Sequence, residues 1–200
     1  MRKLLSIALA TIAFASGPVA AQTTGNGPYY AVPSWDQTLP VAQRFIVLSN
    51  FDNAAVLDRE TGLVWERTPQ SQSSTGVTAP FSNAVQNCYN ANTGGRTGWR
   101  LPTPEELMSL VDRTQRNPAL PAGHPFQQVL FMDNQGLADY WTASTLFPPQ
   151  ASSPGGPFLP GAAVAVGFNS GFIVAGVPTD VVRGVWCVRG GSHVLTNFTD

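Results

Sequence analysis

Three observations predict an α+β domain. Strand-length apolar runs come first, two helical segments follow, and further strand runs joined by long loops complete the chain. That order is α+β rather than the βαβ alternation of a doubly wound sheet. The second observation is the stretch Gly98-Trp99-Arg100-Leu101-Pro102-Thr103-Pro104-Glu105-Glu106-Leu107, where Thr103 and Glu106 form a capping box and Pro104 takes the first helical position. The third is a pair of cysteines, Cys88 in a predicted helix and Cys187 in a predicted last strand.

The chain opens with Met1-Arg2-Lys3, an apolar run from Leu4 to Ala15, and small residues ahead of a cut between Ala21 and Gln22. A basic start, a short apolar core and small residues at the cut make residues 1–21 a secretory signal peptide. The run is too short to span a bilayer and no other segment approaches that length, so no stable membrane insertion is expected once it is removed. With no Cys at the cut, no lipid attachment is expected there either. The predicted destination is the periplasm or the exterior. Of eleven Lys and Arg, the signal removes Arg2 and Lys3, leaving nine Arg against twelve acids. No basic footprint for nucleic acid is left. In an oxidising compartment a Cys88–Cys187 disulfide is the leading reading. A nucleophilic or metal-binding thiol would need a base or further ligands, and none is visible.

Residues 22–43, with Tyr29, Tyr30, Trp35 and several Gly and Pro, read as an irregular arm over the domain. The domain proper is placed at 44–190. Phe45 to Leu48 has strand length, and Ala55–Leu57 and Leu63–Trp65 flank the turn Asp58-Arg59-Glu60-Thr61-Gly62 as a hairpin. Gln70 to Thr78 is a polar loop. From Phe81 to Asn92 the pattern is helical, with Phe81, Ala84, Val85, Cys88 and Tyr89 on one face and Gly94-Gly95 as stop signal. Trp99 and Leu101 alternate with Arg100 in a short extended segment. Leu107, Leu110 and Val111 then mark the apolar face of a second helix running to about Arg113. Irregular chain with Pro118, Pro121 and Pro125 leads to a strand at Asp139–Thr145. Leu146 to Gly161 reads as a Pro-, Gly- and Ser-rich surface loop. A second hairpin spans Ala162–Phe168 and Phe172–Val177, Val181–Val188 forms the last strand, and 191–200 is a tail.

Phe51-Asp52-Asn53, DRETGLVW (Asp58–Trp65), Ala84–Cys88, GWRLPTPEEL (Gly98–Leu107), YWTAS (Tyr140–Ser144), FNSG (Phe168–Gly171) and WCVR (Trp186–Arg189) occur in this order. The combination resembles a bacterial domain family of unassigned function, DUF1566, also called the Lcl C-terminal domain after the Legionella collagen-like adhesin. On that resemblance Trp65, Trp99, Arg100, Leu101, Pro102, Thr103, Glu106, Leu107, Trp141 and Arg189 are structural motif positions. It implies a C-type-lectin-like fold: two helices with twisted antiparallel strands, long loops and one disulfide. RLPT before a helix and VRGGS (Val188–Ser192) are also similar to the formylglycine-generating enzyme and sulfatase-modifying-factor group. Such an enzyme implies two redox-active cysteines near the last strand, and only Cys187 lies there.

No catalytic constellation is apparent. The two His, His124 and His193, accompany no Gly-x-Ser-x-Gly elbow. Glu105 and Glu106 are adjacent on a helix and point apart. The Glu-Pro-Asn, Gln-Pro-Asp and Trp-Asn-Asp signatures of calcium-dependent lectins are absent. Asp52, Asn53, Asp58, Asp133 and Asn134 offer oxygens, with turn formation the plainer role. No metal site and no cofactor are assigned. Trp65, Trp99, Trp141 and Trp186 read as core packing rather than a sugar-stacking platform. Arg100 is expected to pair with Asp112 or Asp139. Trp35, Phe147 and Phe158 are the candidate ligand contacts. The function expected is non-catalytic recognition of a glycan or a protein at the cell envelope or outside the cell. A structural or accessory subunit of an envelope assembly is the alternative, and an enzyme comes third.

Overall fold

In the computed structural model the described residues are 39–69, 78–129, 139–147, 150–151, 158–159 and 161–191. The predicted signal peptide with its cut at Ala21 and Gln22, the arm aromatics Tyr29, Tyr30 and Trp35, the pair Asp133 and Asn134, and the tail with His193 lie outside them. In chain order the elements are α1 (Val41–Arg44), β1 (Phe45–Val47), β2 (Ala55–Asp58), β3 (Leu63–Glu66), β4 (Thr78–Ala79) and α2 (Phe81–Asn90). There follow β5 (Trp99–Arg100), α3 (Pro104–Ser109), β6 (Asp139–Phe147), β7 (Gln150–Ala151), β8 (Phe158–Leu159), β9 (Ala162–Gly167), β10 (Phe172–Pro178), β11 (Arg183–Gly184) and β12 (Val188–Arg189). The architecture is α+β. One five-stranded sheet has the order β1-β2-β3-β12-β5 and a second the order β10-β9-β6-β11-β4, with β6 and β11 as the parallel neighbours.

The core divides into two clusters, and the chain threads between them by the two-residue period of extended backbone. In 185–188, Val185 and Cys187 join Cys88, Trp99 and Trp141, while Trp186 and Val188 join Trp65, Leu107 and Phe168. Ala55 and Val56 divide the same way, as do Trp141 and Tyr140. Burial on both faces removes the polar alternation that marks strand boundaries. The expected single strand Val181–Val188 is therefore two short ones: β11 in the second sheet and β12 in the first. Cys187 sits in the crossing between them, just ahead of β12. Trp186 is the hub of its cluster, with Phe126, Tyr140, Phe168 and Trp65 rings at 5.0, 5.4, 5.4 and 5.7 Å. The Pro-containing segment after α3 is irregular as expected, yet it delivers Ala119, Leu120 and Phe126 to this core.

Both expected hairpins form, with Asp58 opposite Leu63 and Phe172 opposite Gly167 at their closed ends. Two helix expectations change. α3 stops at Ser109 rather than near Arg113, because the chain turns so that the Asp112 N–H donates to the Ala119 carbonyl (3.0 Å). Its apolar face is as the spacing predicts, with Leu107, Leu110 and Val111 buried. α2 ends at Asn90 without help from Gly94 and Gly95, which belong to a separate 3-10 turn, Thr93–Gly95. Gly94 has φ +61°, and a Cβ there would lie 2.6 Å from the Phe51 carbonyl oxygen, so close approach accounts for it. Ala84 and Cys88 face inward, but Val85 and Tyr89, expected beside them, are 45% and 75% exposed.

The expected loop Leu146–Gly161 also carries structure. β6 extends into it as far as Phe147, and β7 pairs with β8, Gln150 opposite Leu159. At the other end the fold extends slightly ahead of Arg44: the Leu39 N–H donates to Glu60 Oε1 and Val41 packs on the core.

Candidate functional site

The motif residues form an internal frame. Arg100 grips Glu106 with two bonds, Nη1 to Oε2 (2.7 Å) and Nη2 to Oε1 (2.6 Å), and donates also to the carbonyls of Leu101 and Gly190. Glu106 Oε2 simultaneously accepts the Thr103 N–H (2.8 Å), while the Glu106 N–H donates to Thr103 Oγ1 (3.2 Å). The expected capping box is present, but the expected partners of Arg100 are not. Asp112 accepts instead from Thr114, and Asp139 lies 3.5 Å from Arg183. A carboxylate offers about four acceptor sites, so capping does not exhaust Glu106. Glu106→Ala removes the cap acceptor and leaves a three-quarters-buried Arg100 unpaired, which should lower stability by about 2–3 kcal/mol. A chemical-denaturation midpoint equal to wild type would show the pair to be solvated.

The neighbouring motifs lock onto this frame. Ala143 N–H donates to the Pro102 carbonyl (2.7 Å), joining YWTAS to RLPT, and Arg189 Nε donates to the Thr97 carbonyl (2.8 Å). Trp65, Trp99, Trp141 and Trp186 are buried to 2% exposure or less, as core packing requires. Three of their indoles donate to backbone carbonyls: Trp99 to Arg96, Trp141 to Ala79 and Trp186 to Glu66. None offers a ring face to solvent.

Two buried carboxylate centres hold roles not read from the sequence, where Glu66 has none and Asp58 counts as a turn residue that offers oxygens. Glu66, on β3, accepts the Cys187 N–H at Oε2 (3.2 Å) and the Thr93 hydroxyl at Oε1 (2.6 Å). Asp58 accepts Arg44 Nε (2.9 Å) and Nη2 (2.8 Å), and Arg44 Nη2 reaches the Ser109 carbonyl as well (2.7 Å). An Arg preceding a strand-length apolar run is the only local hint of the second centre. Asp58 is thereby committed to Arg44, and Asp52 and Asn53 take left-handed turn conformations at φ 52° and 59°. Among the described residues no group of three or more His, Cys, Asp or Glu is arranged to hold a metal.

Of the candidate ligand contacts, Phe147 is half exposed at the end of β6, beside the similarly exposed Leu146. Phe158 falls in β8, opposite Ala151, and Trp35 lies outside the described residues. His124 is half-buried, with its ring 5.9 Å from that of Phe126, and burial pushes its pKa below the usual imidazole value. With the folded pKa lowered, the unfolded chain takes up the proton first as pH falls. The stability associated with neutral His124 is therefore complete above its unfolded pKa, about 6.5, and declines as pH drops through that value toward the lower folded one. The loss in Tm between pH 7.5 and 5 should be smaller in His124→Gln than in wild type. Equal losses would show that His124 does not contribute.

No curated protein and no solved structure matches this chain. A family model described as the Lcl C-terminal domain matches residues 54–189, from just ahead of β2 to the last residue of β12, and so takes in both cysteines and the motifs from Asp58–Trp65 to Trp186–Arg189. With more than half of its length matched, this chain belongs to the Lcl C-terminal domain family.

Proposed function

We propose that this chain is an exported, non-catalytic binding domain that recognises a glycan or a protein at the cell envelope or outside the cell. The observation that carries the reading is the internal commitment of the distinctive side chains. Arg100, Glu106, Asp58 and Glu66 are engaged within the frame, and the four motif tryptophans are buried. Chemistry on a substrate needs uncommitted polar groups converging at a surface; recognition needs only a rigid frame that presents variable surface. Here the frame is stapled by the Cys88–Cys187 disulfide, and Leu146 and Phe147 stand exposed just ahead, in the sequence, of a Pro- and Gly-rich stretch. The basic start and apolar run ahead of Ala21 support export, as does a disulfide in a domain of this kind. Among the described residues no helix is long and apolar enough to cross a membrane. A C-type-lectin-like arrangement is the finer fold reading that accompanies this proposal.

The test is binding of the purified mature protein to an array of bacterial and host glycans, sulfated glycosaminoglycans included, with calcium and again with chelator. Saturable binding supports recognition, and loss with chelator points to a metal-dependent site. A blank array removes the glycan arm and directs the search to envelope proteins.

A further inference from the structure

We infer that the outer face of α2 is a binding platform for a neutral oligosaccharide, an inference that rests on the recognition reading above. Tyr89 is 75% exposed, the highest value among the exposed large apolar residues of the described chain, and Val85 one turn earlier is 45% exposed. Ser82, Gln86 and Tyr89 share this strip by helical spacing, and Asn83 and Asn90 border it, all of them exposed. From Thr68 to Gly95 the sequence contains no Asp, Glu, Lys, Arg or His. The strip therefore combines one aromatic ring, amides that both donate and accept, and no formal charge. A sugar offers that surface its complement, an apolar C–H face for the ring and hydroxyls that donate and accept for the amides. A phosphate- or sulfate-rich polymer would require cations that the helix lacks. Ten residues of helix measure about 15 Å, which matches two or three sugar rings. A stable protein interface needs about 800 Å² per partner around an apolar centre, and Val85 with Tyr89 does not supply one. The platform is also held rigid. Cys88, beside Tyr89, is tied through the helix's inner face to Cys187 at the crossing between the sheets, so little motion need be frozen on binding.

The full mature chain and its Tyr89→Ala, Tyr89→Phe and Gln86→Ala variants are compared on neutral β-glucan, mannan and N-acetylglucosamine oligomers beside sulfated glycosaminoglycans, at low and high salt. Wild type should bind a neutral oligomer with little salt dependence. Tyr89→Ala should weaken it about tenfold, while Tyr89→Phe keeps most of it and Gln86→Ala gives a partial loss. Equal melting temperatures are expected because both side chains are exposed; Gln86→Ala serves as the independent readout if Tyr89→Ala melts early. Neutral-glycan binding that none of the variants changes would overturn the platform while leaving the recognition reading intact. Binding confined to sulfated chains and abolished by salt would also overturn it. A blank array would remove the platform and the glycan reading together.

Discussion

Asp58→Ala should destabilise the fold by about 3–5 kcal/mol, the cost of leaving a buried guanidinium without its carboxylate. Arg44 and Asp58 are 2% and 0% exposed and meet in a forked geometry, two N–H donors on two oxygens. The same Arg44 bonds the Ser109 carbonyl at the end of α3, lies 3.6 Å from Glu60, and stacks over Phe45 at 4.6 Å. One side chain thus joins α1, the first hairpin and α3. The loss should come mainly from the orphaned charge rather than from lost attraction, since desolvation offsets much of what a buried pair gains. Replacing the group together, as Arg44→Met, Asp58→Leu and Glu60→Gln, should therefore cost less than Asp58→Ala alone. Urea midpoints of the single and triple variants decide the matter. A triple variant less stable than the single would mean that the ion pair itself, rather than its desolvation, dominates.

What could be read in the sequence divides by range. The capping box at Thr103 and Glu106 and the hairpin about Gly62 depend on residues within a few positions, and both are found as expected. Arg44 with Ser109, 65 positions apart, leaves no such trace. Arg100 shows a subtler failure. Its partner lies only six positions away, but the capping role of Glu106 hides the acceptor sites it has to spare. For α2 the apolar stripe from Phe81 to Tyr89 is wider than the surface it packs on. The small side chains Ala84 and Cys88 go inward, leaving Val85 and Tyr89 outside. Hydrophobic spacing locates a helix face but does not tell which edge of a broad stripe meets solvent. Burial on both faces hides strand ends for the same reason that it favours the strand, as Val185 to Val188 illustrate. The two cysteines are paired in the sequence by expected compartment rather than by spacing, and the bond is present with a Cα–Cα separation of 5.4 Å.

Removing that bond should have an effect comparable to breaking the buried ion pair. Cys88 and Cys187 stand 99 positions apart, and opening a loop of that size costs about 4–5 kcal/mol by the chain-entropy model. Native-state packing adds to the argument, because both sulfurs belong to the second core cluster with Trp99 and Trp141. The backbone around Cys187 is fixed independently: its N–H donates to Glu66 Oε2, its carbonyl accepts the Glu66 N–H, and the next-door Trp186 indole donates to the Glu66 carbonyl. The bond therefore attaches α2 to a strap already held by β3. The Cys88→Ala, Cys187→Ala double variant should accordingly lose the position of α2 first while the sheet about β3 and β12 persists longer. Amide exchange of α2 should accelerate more than that of β3. Both cysteines are fully buried, so a reductant should leave the disulfide intact in buffer and cleave it only where denaturant opens the core. Rapid reduction in buffer would place the bond in a segment that opens without global unfolding, and α2 would then be a mobile element rather than a fixed one.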